Sequence, residues 1–134
     1  MVESKPFGRT KNGEECSLFY LYNNQGHSVC ITDFGARIVE INVPDSLGKI
    51  ENVVLAYDRL EAYENDPAYL GAIVGRYASR IHEGKFEMDG KTIQLSKNEK
   101  GNHLHGGAKG FDKKVWKSKT ESTKGFERLT LSSF

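Results

Sequence analysis

The sequence predicts an all-β fold, a sandwich or a barrel of short strands. Three observations carry this. Short runs rich in aromatic and β-branched residues recur along the chain. Clusters of Gly, Asn, Asp and Pro separate them. Only residues 58–63 begin like a helix. Many strands with frequent turns and almost no helix must bury their apolar faces sheet on sheet.

The 134 residues suit one domain, 1–134, with its own core. The formal net charge is only +1, so no basic excess exists to neutralise phosphates and no nucleic-acid partner is expected. No apolar run is long enough for a bilayer, so no membrane partner is expected. Glu3, Lys5, Arg9, Lys11, Glu14 and Glu15 leave no signal-peptide core in the first twenty residues, and the expected setting is cytoplasmic. Cys16 and Cys30 have no metal-like spacing. In a reducing cytosol they are two thiols buried in strands.

In chain order, residues 1–15 are polar and read as loop or a frayed first strand. Residues 17–22 (S-L-F-Y-L-Y) and 28–32 (S-V-C-I-T) flank the turn signal Asn23-Asn24-Gln25-Gly26 and form a hairpin. Residues 36–43 follow Gly35 as a half-buried strand, with Val39, Ile41 and Val43 on the apolar face. Pro44 to Gly48 is turn chemistry. The apolar run 52–56 reads as a strand buried on both sides. Asp58 caps the short helix, with Glu61 three residues on, and Pro67 stops it. Gly71 and Gly75 mark a close backbone approach or a bend. Residues 85–88 and 91–95 form a two-residue hairpin around Asp89-Gly90, with Phe86 opposite Ile93 and Met88 opposite Lys91. Residues 128–131 start a last strand, which Phe134 cuts short.

The densest chemistry lies in residues 102–116, N-H-L-H-G-G-A-K-G-F-D-K-K-V-W. On an extended strand His103 and His105 would share one face and Leu104 the other. Three readings follow. A His-X-His pair can supply two metal ligands, but no glutamate follows within the next few residues, and His82 or Asp112 would have to be recruited. No metal is therefore expected. Two structural histidines hydrogen-bonded in a loop form the second reading. The third is a polyol or sugar site. Arg76 and Arg80 offer guanidinium forks to vicinal hydroxyls, the imidazoles can donate and accept, and Tyr77, Phe111 and Trp116 offer ring faces. Surface charge and core packing are the ordinary fates of those arginines and rings. No nucleotide loop or nucleophile elbow is present.

Several motifs in fixed order resemble one family. They are Phe34-Gly35-Ala36, Val43-Pro44-Asp45, residues 52–58 (N-V-V-L-A-Y-D) leading to Tyr63, and Gly71-Ala72. Gly75-Arg76-Tyr77-Ala78-Ser79-Arg80-Ile81, Gly84-Lys85-Phe86 and Asp89-Gly90-Lys91 follow, then Asn102 to Gly107 with Gly110 to Lys113 and Val115-Trp116. From about residue 13 onward the chain resembles the N-terminal part of the aldose 1-epimerase, or galactose mutarotase, family.

The resemblance implies a supersandwich β-fold truncated to its N-terminal portion. It implies a cofactor-free isomerase that interconverts α and β anomers of free hexoses such as glucose and galactose. It places Ser79 and Arg80 at the family's sugar-contacting Asn-Arg pair, and His105 near the sugar ring oxygen. Ser79 replaces an asparagine, and a hydroxyl has fewer donors than an amide, so one contact is expected to be lost or water-bridged. The family's general acid histidine and general base glutamate lie beyond Phe134. The chain is therefore expected to be a fragment with little activity alone and, with open strand edges, to self-associate. Arg80 and His105 are expected to converge on one hollow shaped for a pyranose. The alternative function is a non-catalytic carbohydrate-binding or interaction β-domain.

Overall fold

The computed structural model describes residues 1–133. Strands dominate, as expected. An antiparallel five-stranded sheet runs in chain order through β1 (Glu3–Arg9), β2 (Glu15–Tyr22), β3 (Ser28–Thr32), β4 (Arg37–Pro44) and β5 (Ile50–Asn52). The helix α1 (Leu60–Glu64) follows. Three two-stranded ribbons complete the fold. They pair β6 (Arg80–Ile81) with β9 (His103–Leu104), β7 (Lys85–Met88) with β8 (Lys91–Gln94), and β10 (Lys117–Thr123) with β11 (Phe126–Ser132).

The expected first hairpin is present, with Tyr20 opposite Cys30 and Tyr22 opposite Ser28. Asn23 holds its turn by accepting the Gln25 and His27 N–H groups through Oδ1. Both thiols are buried and free. They pack with Phe34, Val39, Leu60 and Tyr63 in the core. The second hairpin has the expected register, and Asp89 and Gly90 both have positive φ, the signature of a type I′ turn. The last strand begins at Phe126, and its expected end at Phe134 lies outside the described residues.

Some expectations need correction or refinement, and one strand was missed. Of the two readings for the first residues the strand holds, and over residues 3–9 it is regular rather than frayed. Their alternation is hidden because nearly every side chain is exposed. The strand at 117–123 is missed for the same reason, since polar residues on an exposed ribbon carry no apolar period. On β4 only Val39 of the expected face is fully buried, while Ile41 and Val43 are half-buried. The run 52–56 is not a doubly buried strand, for Val53 and Leu55 are 66% and 80% exposed. Asn52 ends the ladder there, because its Oδ1 accepts the N–H groups of both Ile41 and Val54. The helix begins one residue after Arg59, and no side chain caps it.

Candidate functional site

The site is built where β6 meets β9. Arg80 pairs with Leu104, and Ile81 pairs with His103. Antiparallel partners share a face. Arg80 therefore stands on the face of Leu104, and His103 on the face of Ile81. The expected shared face for His103 and His105 fails, because the strand ends at Leu104 and His105 adopts φ +50°. His103 is buried, with Nδ1 at 2.9 Å from the Ser96 carbonyl oxygen. It lines an apolar groove of about 430 Å³ with Ile81, Phe86, Leu95 and Phe111.

His105 instead meets Ser79. The two residues exchange backbone and ring bonds. The His105 N–H donates to the Ser79 carbonyl at 3.0 Å, and the Ser79 N–H donates to His105 Nδ1 at 2.9 Å. A ring nitrogen that accepts carries no proton, so the neutral ring holds its proton on Nε2. The Tyr69 ring packs edge-on against this imidazole at 4.9 Å. Gly106 follows at φ +93°, and a Cβ there would overlap the Gly75 carbonyl oxygen. Only glycine permits that approach.

Arg80 is exposed and anchored through one nitrogen. Its Nε donates to Glu99 Oε2 at 3.0 Å. Among the described residues its Nη atoms make no hydrogen bond, which leaves the outer edge of the guanidinium for a ligand. The Arg80 hydrogen bond holds the Glu99 carboxyl below its ordinary range. Ser79 and His105 are thus joined directly, while Arg80 stands one position along β6 and is held by Glu99 rather than by His105.

The other sugar-contact candidates fall into two groups. Arg76 lies exposed over the Phe111 ring at 5.5 Å. Phe111 and Trp116 pack edge to face at 5.5 Å, and the indole N–H donates to the Phe111 carbonyl at 3.1 Å, so Trp116 serves packing. Among the described residues no three His, Cys, Asp or Glu side chains gather to hold a metal.

Sequence reasoning missed a buried charge network behind the site. Arg37 is fully buried and donates through Nη1 to Asp66 Oδ2 at 2.6 Å and to the Leu70 carbonyl at 2.9 Å. Its Nη2 donates to the carbonyl of buried Asp112 at 3.4 Å. The network ties β4 to residues 66–70 and to the loop that follows His105. Burial alone would raise the Asp66 carboxyl. Hydrogen bonds from Arg37, the Ala68 and Leu70 N–H groups and the Tyr57 hydroxyl outweigh it and lower the group. An arginine inside a β-branched run gave no sign of this fate. The Asp66-Pro67 pair was the one available hint of a turn.

A family described as aldose 1-epimerase matches residues 17–134. The chain belongs to the aldose 1-epimerase family. It is 39% identical over 105 residues to the aldose 1-epimerase of Escherichia coli, covering 78% of this chain and 30% of that protein. It is 47% identical over 88 residues to the galactose mutarotase of Bos taurus, covering 66% of this chain and 26% of that one. The fold matches the galactose 1-epimerase of Lactobacillus acidophilus with a TM-score of 0.81 at 27% identity, over 98% of this chain and 37% of that one. The all-β fold is therefore that of the aldose epimerases, and the chain spans about a third of the length of these relatives.

Proposed function

We propose that the chain holds a free hexose such as galactose or glucose between Arg80 and His105, and serves the interconversion of its α and β anomers in the cytoplasm without a cofactor. The Arg80 Nη edge, which bonds none of the described residues, and the imidazole fixed as an Nε2 donor at the end of the β6–β9 ribbon support this reading. Mutarotation needs a base for the C1 hydroxyl proton and an acid for the ring oxygen. The ring then opens, C1 rotates, and the ring closes on the other face. Each proton-transfer group contributes on the order of 10²–10⁴-fold. Arg80 would grip hydroxyl pairs, and the His105 Nε2–H would favour charge growing on the ring oxygen.

A base is harder to find. Glu99 is the carboxylate in contact with Arg80, and the guanidinium holds its carboxyl low, which makes it a weak base. That observation favours a second reading, a carbohydrate-binding domain that does no chemistry itself. Polarimetry on freshly dissolved α-galactose separates the two. Little acceleration with saturable galactose binding would favour the second reading and is expected of the 134-residue chain taken alone. Clear acceleration would favour the first and show that these residues contain a working base. No binding at all would remove the hexose reading.

A further inference from the structure

We propose that the dipeptide Asn98-Glu99 is the positioning element of the hexose site, holding His105 through one residue and Arg80 through the next. The inference deepens the reading above and rests on it for the identity of the ligand.

Asn98 grips Leu104 by both backbone groups. Its Oδ1 accepts the Leu104 N–H at 2.8 Å, and its Nδ2 donates to the Leu104 carbonyl at 2.9 Å. This two-point grip mimics a strand partner at the position directly before His105. The same Nδ2 reaches the Tyr69 hydroxyl at 3.4 Å, and the Tyr69 ring packs against the imidazole. One amide thus fixes the backbone entering His105 and the ring beside it. The chain reverses at His105, so the imidazole reaches the Ser79 N–H only while Leu104 stays in place.

Glu99 acts on the other side chain. It takes Arg80 by Nε, the inner nitrogen of the guanidinium. A carboxylate there fixes the plane of the fork and leaves both Nη groups facing outward. A pairing through the Nη atoms would have consumed the edge that a diol needs. The dipeptide is itself fixed by Asn102, whose carbonyl accepts both the Asn98 and the Glu99 N–H, at 3.0 and 3.1 Å. The Asn102 N–H returns a bond to the Glu99 carbonyl at 2.7 Å. Loop, strand and both site side chains therefore form one closed set of bonds. The side chains of Asn98 and Glu99 bond Leu104, Tyr69 and Arg80, and the proposal gives both the part of positioning residues.

The test is nitrogen-detected NMR of the 134-residue chain at about pH 8, above the ordinary imidazole range, followed by galactose titration. In the unmodified chain the His105 ring is expected as a single Nε2–H tautomer. The Arg80 Nε–H is expected slow to exchange and shifted downfield. Glu99→Ala should abolish the Arg80 signature, leave the His105 tautomer intact and weaken galactose affinity several-fold. Glu99→Gln should restore part of both losses. Asn98→Asp keeps the acceptor for the Leu104 N–H and removes the donor to its carbonyl, so it should fold and yield mixed His105 tautomers. Mixed tautomers in the unmodified chain, or an Arg80 resonance unaffected by Glu99→Ala, would overturn the proposal. If both signatures appear and galactose still does not bind, the positioning stands and the hexose reading alone fails.

Discussion

Arg37 is the residue on which the architecture behind the site turns. Its guanidinium is buried with two carboxylates, and removal of one partner strands the others without water. Arg37→Met should therefore cost about 3–5 kcal/mol in a urea melt, the range for a broken buried pair. Two buried carboxylates also make opposite pH predictions. Hydrogen bonds lower Asp66, so its contribution is present above the unfolded value near pH ~3.9 and is lost as pH falls through the folded one. Asp66→Asn should be most damaging near neutrality, with a penalty that shrinks in acid. Burial raises Asp33, so its contribution is present in acid and is lost as pH rises through the folded value. Asp33→Asn keeps the oxygen that accepts the Ser17 N–H, and its stability relative to the parent should grow from acid to neutral pH. Melts at several pH values check both slopes. At this scale the sequence was partly legible. Ser79 meets His105 where β6 and β9 end and Arg80 follows it in the chain, yet the bond between Ser79 and His105 comes through the Ser79 backbone N–H, which no side-chain pattern encodes.

Among the elements, those with strong local chemistry were readable. Asn23 to Gly26 and Asp89-Gly90 each specify a turn by themselves, and both hairpins have the register that the turns dictate. Elements decided by long-range contacts were not readable. The ribbon of β10 and β11 shows no apolar alternation, and the run after Asn52 is diverted by a side chain that captures its backbone. The extended reading of His103 to His105 failed for a related reason. The glycine at 106 lets the chain reverse against Gly75, and the reversal begins one residue early. Two glycine substitutions separate turn chemistry from close packing. Gly90 has open space around a would-be Cβ, so Gly90→Ala should cost only the left-handed backbone penalty of about 1–2 kcal/mol. Gly106→Ala must push the Gly75 carbonyl away, and should destabilise far more and disperse the resonances of residues 75–79 and 105. Paired thermal melts and amide spectra check the contrast.

Across the whole molecule the apolar surface is uneven. Val53, Leu55, Ile73, Tyr77 and Met88 are all exposed large side chains. Where such groups lie side by side they favour association. The average mass in sedimentation should rise with concentration, and replacing Leu55 and Met88 by Lys should reduce the rise. A strict monomer at all concentrations would contradict this. The fold class and the family were legible because glycine, turn and histidine motifs recur in fixed order over most of the chain. The burial pattern was less so, since a side chain's exposure depends on what the rest of the fold lays over it. The hexose reading depends on Arg80 and His105 serving one ligand. The measurement that tests it most directly is an amide and side-chain NMR titration of the 134-residue chain with galactose. The expected result is a set of saturable shifts centred on Ser79, Arg80 and His105, abolished by Arg80→Ala and by His105→Ala. Shifts that are absent, unsaturable or centred elsewhere would contradict it.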